Sequence, residues 1–339
     1  FEKTDSDVIP EIVRSNGVYL LFSKICKKIG LERLVQQLFP DNWEQILTVA
    51  QYMLSEGNVM YYLPDWQDEN VSYMDERMTE QEISRLLSSI DETSRLLFFR
   101  LWMKEKYKGE YLAYDVTSIS SYSKQLENLE WGYNRDKEIL PQINMAMYYG
   151  EESRLPLYYR VYPGSITDKT HLRYMLEDSE MLDVKKMKYV MDRGFYSADN
   201  LRFITDQGNR FVIAIPNNLK YVRDLILKHK AELINRSECH LGIGMTYGKS
   251  YEINELGFRM RVHLYYDAQK AATECEDLYT ELNKIENELS QMEEAPDKKL
   301  HYDKYFYINN NTLFTVRHTK RCISHFSCFF TEDSTEKSF

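Results

Sequence analysis

The stretch Tyr189-Val190-Met191-Asp192-Arg193-Gly194-Phe195-Tyr196-Ser197-Ala198-Asp199-Asn200 changes character halfway along. It opens as an apolar, β-prone run, breaks at Asp-Arg-Gly, and places Ser197 where a helix N-cap belongs. A strand that ends in a carboxylate beside a helix start is where α/β proteins put ligands. Arg193 has the forked donor geometry that suits a phosphate diester, and Gly194 lets other backbone come close. The competing reading of Arg193 is a salt bridge to Asp192 or Asp115.

Upstream, residues 111–121, 142–149 and 157–162 are rich in Tyr, Val and Ile and separated by turn residues, which predicts three strands. A helix opened by Thr167-Asp168 follows, then a short strand over 187–191, the helix opened by Ser197, and a strand over 211–215. Three neighbouring strands followed by alternating helix and strand predict an α/β layout. It matches the order of a ribonuclease H-like core over residues 109–215. In Tyr114-Asp115-Val116-Thr117 the strand period of two puts Asp115 and Thr117 on one face and Tyr114 and Val116 on the other. A carboxylate inside a strand is disfavoured and needs solvent, a partner or a cation, so Asp115 is either a solvated edge residue or a metal ligand. Thr167 or Asp168 is read first as an N-cap. Trp131, Tyr133 and Arg135 lie in the loop between the strands, where they either stack on and pair with a nucleic acid strand or close the core as lids.

The flanks differ from this centre. Residues 1–108 show helical spacing, such as Ile46, Val49, Ala50 and Met53, broken at Pro40-Asp41-Asn42 and Leu63-Pro64-Asp65; this predicts a helical region of three or four helices. Residues 216–330 carry short strand-like pieces around one long helix over 270–293, and read as a mainly β insertion; residues 331–339 begin the return to the core. The helix seam Leu278-Leu282-Ile285-Leu289 either packs within the insertion or meets a second subunit.

Composition bounds the function. The chain has 339 residues, 43% hydrophobic and 28% charged, which fits a globular protein with a packed core and excludes a disordered or fibrous one. No apolar run approaches the roughly 18 residues that span a bilayer, and the first residues lack a secretory pattern, so a cytoplasmic protein without membrane partner is expected. Five scattered cysteines agree with a reducing compartment. Cys322-x-x-His325-x-x-Cys328 offers three metal-like ligands within an apolar run, where buried thiols are the preferred reading over zinc. The full phosphate-loop pattern Gly-x-x-x-x-Gly-Lys-Ser/Thr does not occur, since Ile243 stands where Gly248-Lys249-Ser250 would need its first glycine, so ATP is not expected as a cofactor. The net charge of −10 argues at first against nucleic acid. Most of it belongs to the long helix, which has eight acidic residues and one Lys between 271 and 294. By contrast, residues 193–230 carry seven Lys and Arg against three Asp. That basic stretch includes Arg193, Lys220 and Arg223.

Taken together, Tyr114-Asp115-Val116-Thr117, the segment Gly132-Tyr133-Asn134-Arg135-Asp136 to Pro141-Gln142, Pro163-Gly164-Ser165 with Asp168, and Asp192-Arg193-Gly194-Phe195-Tyr196 with Asn200 resemble the DDE transposases of bacterial insertion sequences. The resemblance is to the branch with a β-strand insertion. It implies a ribonuclease H-like core in which Asp115 and Asp192 are the first two acids of a catalytic triad. It further implies Mg²⁺ or Mn²⁺, two ions with a complete triad, and double-stranded DNA as partner, both transposon ends and target. Arg193, Tyr196, Arg135, Lys220 and Arg223 are the expected DNA contacts, and the helical N-terminal region is expected to help bind transposon ends. A homodimer in a synaptic complex and association with the nucleoid when bound to DNA are also implied. The family's third acid sits in a Tyr-x-x-Arg-x-x-x-Glu-x-x-x-x-x-x-Lys pattern that does not occur before Phe339; Glu332, Asp333 and Glu336 lack its companions, so no third acid is assigned and the chain reads as truncated. The expected activity is cleavage of transposon ends and transfer of the 3′-hydroxyl strand, probed against two alternatives: a catalytically dead remnant that binds DNA or a partner, and a ribonuclease H-like nuclease.

Overall fold

The computed structural model describes residues 13–124, 126–133, 138–235, 237–254, 257 and 259–290, together with three strand segments at 306–308, 314–316 and 326–332. Its contacts divide the chain into two compact units: residues up to Tyr107 with Glu180–Val184, and Lys108–Ser179 with the residues from Lys185 onward.

The first unit is helical: α1 (Gly17–Lys28), α2 (Leu31–Leu38), α3 (Trp43–Ser55), α4 (Leu63–Glu69), α5 (Glu80–Ser89) and α6 (Glu92–Lys106). Six helices stand where the spacing predicts three or four. The extra breaks are local: Gly30 separates α1 from α2, and Asp91 caps α6 by accepting from the Ser94 amide at 2.8 Å, directly after α5. A capping box between Thr79 and Glu82 starts α5. Val49, Tyr52, Leu63, Trp66, Met78, Ile83 and Leu86 form its core.

The second unit is built on a mixed sheet. Its elements in chain order are β1 (Tyr111–Ser120), β2 (Gln142–Gly150), β3 (Pro156–Pro163), α7 (Asp168–Met181), β4 (Lys188–Met191), α8 (Ala198–Asp206), β5 (Arg210–Ala214), α9 (Lys220–Asn235), β6 (Thr246–Ile253), β7 (Met260–Asp267), α10 (Ala268–Ser290), β8 (Phe306–Ile308), β9 (Phe314–Val316) and β10 (Phe326–Glu332). Eight strands form one sheet in the order β3-β2-β1-β4-β5-β10-β7-β6, and β8 pairs with β9 apart from it. The β1–β2 and β2–β3 pairs are antiparallel, as short connections require, whereas β1–β4 and β4–β5 are parallel and are linked by α7 and α8. This is the α/β arrangement the sequence predicts. From residue 216 onward, β6, β7 and β10 continue the same sheet, because β10 runs antiparallel to both β5 and β7.

One helix was not foreseen in the sequence reading. Residues 220–235 form α9, whose Val222, Ile226 and Leu233 are buried at helical spacing. The long helix falls where expected, as α10, and its Ile285 is buried at 4% exposure in the single chain. That burial favours packing within the chain for the seam's central position. Of the Cys322-x-x-His325-x-x-Cys328 motif only Cys328, on β10, belongs to the described residues. Among the described residues, no helix is long and apolar enough to cross a membrane.

Candidate active site

The two acids picked out by the sequence meet through strand register. β1 and β4 pair in parallel, and the last registered pair is Tyr114 with Met191. One residue further along each strand stand Asp115 and Asp192. Asp192 is still extended, at φ −77° and ψ 172°, so the alternation of faces carries past the end of β4. Tyr114 and Met191 are buried, whereas Asp115 and Asp192 are both exposed on the other face. Neighbouring strands lie about 4.8 Å apart, which sets the two acids side by side.

Each carboxylate is oriented by its own backbone. Asp115 Oδ1 accepts from the Val116 amide at 2.9 Å, and Asp192 Oδ1 accepts from the Gly194 amide at 2.6 Å. The second oxygen of each acid has no protein partner among the described residues. Gly194 is part of this posture, since a Cβ there would stand 2.8 Å from Asp192 Oδ1. Arg193 is exposed and forms no ion pair among the described residues, which disposes of the salt-bridge reading for them and leaves its fork free.

Tyr196, one of the expected DNA contacts, is largely buried. It is 8% exposed, and its hydroxyl hydrogen-bonds to the hydroxyl of Tyr221 in the first turn of α9. It acts as a strut that brings the start of α9, with Lys220 exposed and Arg223 half-buried, beside the acid-bearing turn. Neither cation is ion-paired among the described residues. Arg135 lies outside the described residues.

On the opposite side of β1, a cavity of about 350 Å³ opens beside Gly194 and is lined among others by Ser118, Asn144, Thr167, Asp168 and Lys169. Its frame is a pair of buried amides: Gln142, which ends one of the quoted motif segments, and Asn144, which no motif marks. Gln142 donates to the Ser118 hydroxyl at 3.3 Å, the Tyr133 carbonyl at 3.0 Å and Asn144 Oδ1 at 3.0 Å; Asn144 in turn donates to the Gly164 carbonyl at 3.4 Å. These bonds tie β1, the loop at 130–133 and the loop before α7 into one piece. The loops touch so closely that a Cβ on Gly132 would run into the Gly164 carbonyl, and one on Gly164 into the carbonyls of Gln142 and Glu130. Tyr133, which lines the cavity, and Trp131, two residues before it, are 85% and 64% exposed. They are therefore presented to solvent and do not close the core as lids.

Asp168 is the first residue of α7 and accepts from the Tyr162 hydroxyl at 3.0 Å. Behind it, His171 is buried and stacks flat on Tyr162, with ring centroids 3.5 Å apart. Burial first, and the nearby Arg160 guanidinium second, hold the His171 imidazole down to a pKa of about 3. His171 is thus a neutral packing group. Among the described residues, no cluster of three or more His, Cys, Asp or Glu is placed to hold a metal ion.

Among curated proteins, none matches the chain. Among solved structures, it is similar to a piggyBac transposase in a synaptic complex with hairpin DNA, at 14% identity and a TM-score of 0.31, covering 72% of this chain and 49% of that one. It thus spans about half the length of that transposase. It is also similar to an endonuclease V variant from Ciona intestinalis in complex with a 23mer DNA containing an inosine followed by a ribo-adenosine, at 12% identity and a TM-score of 0.19, covering 46% of this chain and 68% of that one. The model of the transposase DDE domain matches residues 106–325. That match takes in well over half of the sequence, including both acids, the two buried amides and the turn between β4 and α8, and the chain belongs to the family of transposase DDE domains.

Proposed function

We propose that this chain carries the catalytic domain of a transposase that cuts DNA at transposon ends and joins the freed 3′-hydroxyl to target DNA, with Asp115 and Asp192 as two of its metal-holding carboxylates. The observation that carries the reading is the registered pair of exposed acids one step past Tyr114 and Met191. The strand order β3-β2-β1-β4-β5, antiparallel then parallel, supports a ribonuclease H-like core for residues 109–215.

The donor set fits a hard divalent cation. Mg²⁺ and Mn²⁺ take oxygen ligands and usually rest on one or two carboxylates plus substrate phosphate. Asp115 and Asp192 each offer one oxygen free of protein partners among the described residues on a solvent-facing surface, the other being fixed by a backbone amide. When bound, the ion supplies Lewis-acid polarisation of the phosphoryl group and charge stabilisation on the leaving oxygen.

The remaining work falls to the chain's own residues. Arg193, exposed and next to Asp192, is suited to take two phosphate oxygens with its fork. Lys220 and Arg223, held beside the site by the Tyr196–Tyr221 strut, extend the positive surface along the DNA backbone. Trp131 and Tyr133 offer exposed aromatic faces on which an unpaired base would stack. The buried Gln142–Asn144 pair keeps the loops it ties together from drifting, which limits the loss of reactivity that small misplacements cause.

The test is a binding and nicking assay on duplex DNA. Affinity is expected to fall steeply between about 50 and 200 mM salt, as phosphate contacts by Lys and Arg require, with a shallower slope in Lys220→Glu and Arg223→Glu. Mg²⁺-dependent nicking is expected to vanish in Asp115→Asn and Asp192→Asn. A flat salt response, or nicking that survives either Asp substitution, would overturn the reading; binding without any nicking in the unaltered chain would favour a DNA-binding remnant.

A further inference from the structure

We propose that Asn200 is a positioning residue for Asp192, an inference that rests on the reading of Asp192 as a metal-holding carboxylate. Asn200 is 2% exposed, and its amide nitrogen donates to two main-chain carbonyls, Lys169 at 3.0 Å and Phe195 at 3.3 Å. The first carbonyl belongs to the opening turn of α7, at the cavity wall. The second belongs to the last residue of the 3₁₀ turn Arg193–Phe195, whose cap is Asp192.

The turn is therefore held from both sides. From within, the Asp192 carboxylate accepts from the Gly194 amide at 2.6 Å, and the Asp192 carbonyl accepts from the Phe195 amide at 3.3 Å. From outside, Asn200 fixes the Phe195 end of the same turn to α7. An amide NH₂ group carries two hydrogens and can serve both carbonyls at once. Alanine can serve neither. Aspartate has the same shape, but once ionised it has no hydrogen to give and would face two carbonyl oxygens in a buried place.

The side chain is not needed to start the helix on which it sits. That task falls to Ser197, whose hydroxyl accepts from the Asn200 backbone amide at 3.0 Å. Capping by Ser197 and clamping by Asn200 are thus separable, and only the clamp reaches the element that carries Asp192. Residues that orient a ligating carboxylate typically affect metal affinity by roughly 10–100-fold when removed.

The test compares Asn200→Ala and Asn200→Asp with Ser197→Ala in the 339-residue chain. Hydrogen exchange read by mass spectrometry over residues 188–200, and Mn²⁺ affinity read by electron paramagnetic resonance, are measured on each. Both Asn200 variants are expected to exchange faster at Gly194–Tyr196 while the β4 residues 188–191 keep their protection, and to bind Mn²⁺ at least about tenfold more weakly. Ser197→Ala is expected to lower the melting temperature and leave Mn²⁺ affinity unchanged. Unaltered exchange at Gly194–Tyr196 in Asn200→Ala would overturn the clamp. Unaltered Mn²⁺ affinity in Asn200→Ala, in a protein where Asp192→Asn loses it, would overturn its effect on the acid. If Asp192→Asn itself left Mn²⁺ binding intact, the ligand role of Asp192 would fall, while the exchange data would still decide the clamp.

Discussion

The two faces of strand β1 carry opposite instructions. Leu112, Tyr114 and Val116 point into a packed interior with Tyr148, Tyr189 and Phe211, whereas Asp115, Thr117 and Ile119 on the alternate positions are exposed. One face supplies the stability that lets the other hold acids no packed surface would accept. A carboxylate costs a strand little when it faces water and has its backbone already paired to both neighbours, and β1 is paired on both sides, to β2 and to β4.

The largest break in this comparison is expected from the packed face. Leu112 is fully buried, and Leu112→Ala should cost about 2–5 kcal/mol in urea unfolding, the range for removing a buried leucine. A loss well under 1 kcal/mol would mean that this face is less tightly packed than the burial indicates.

Gly164→Ala comes next. The added methyl would meet the backbone carbonyls of Gln142 and Glu130, which cannot swing aside as a side chain can, so about 1–3 kcal/mol is expected in the same measurement. The loop that carries Tyr133 should loosen with it, visible as faster hydrogen exchange around residues 130–133.

His171 sharpens the comparison through pH. Its folded pKa is held near 3 while an unfolded histidine titrates near 6.5, so below about 6.5 the unfolded chain takes a proton that the folded chain refuses. Stability is therefore expected to fall as pH drops from about 6.5 toward 3, by at most about 1.4 kcal/mol per pH unit from this one group. His171→Phe keeps a ring on Tyr162 and removes the titration; its melting temperature should depend less on pH across that window. An unchanged pH profile would show that His171 is not buried neutral.

Much of this centre was legible in the sequence. Strands β1 to β5 fall on the runs of Tyr, Val and Ile, and Asp115 and Asp192 stand out because a carboxylate is unexpected in or just after such a run. Gln142 stands at the end of a quoted motif segment without its burial being evident, and Asn144 is not marked by any motif. A signal was available: Gln142 and Asn144 share the period-two face of β2 with Ala146 and Tyr148, which are buried. The near-burial of Tyr196 was not legible either, because Tyr221, which its hydroxyl meets, comes from a helix 25 positions later. The apolar stripe of α9 is thin, with Val222, Ile226 and Leu233 buried among the charges of residues 220–235.

The smallest effect on stability should come from the open face. Asp115→Asn removes a charge that touches only its own backbone neighbour, and should change unfolding free energy by no more than about 0.5 kcal/mol. That near-silence in folding is what makes the acid's other role measurable. A titration of Mn²⁺ into the unaltered chain, Asp115→Asn and Asp192→Asn therefore bears most directly on the paired acids. Both variants are expected to stay folded and to lose Mn²⁺ affinity together. Full Mn²⁺ affinity in either folded variant would contradict the pairing of Asp115 with Asp192.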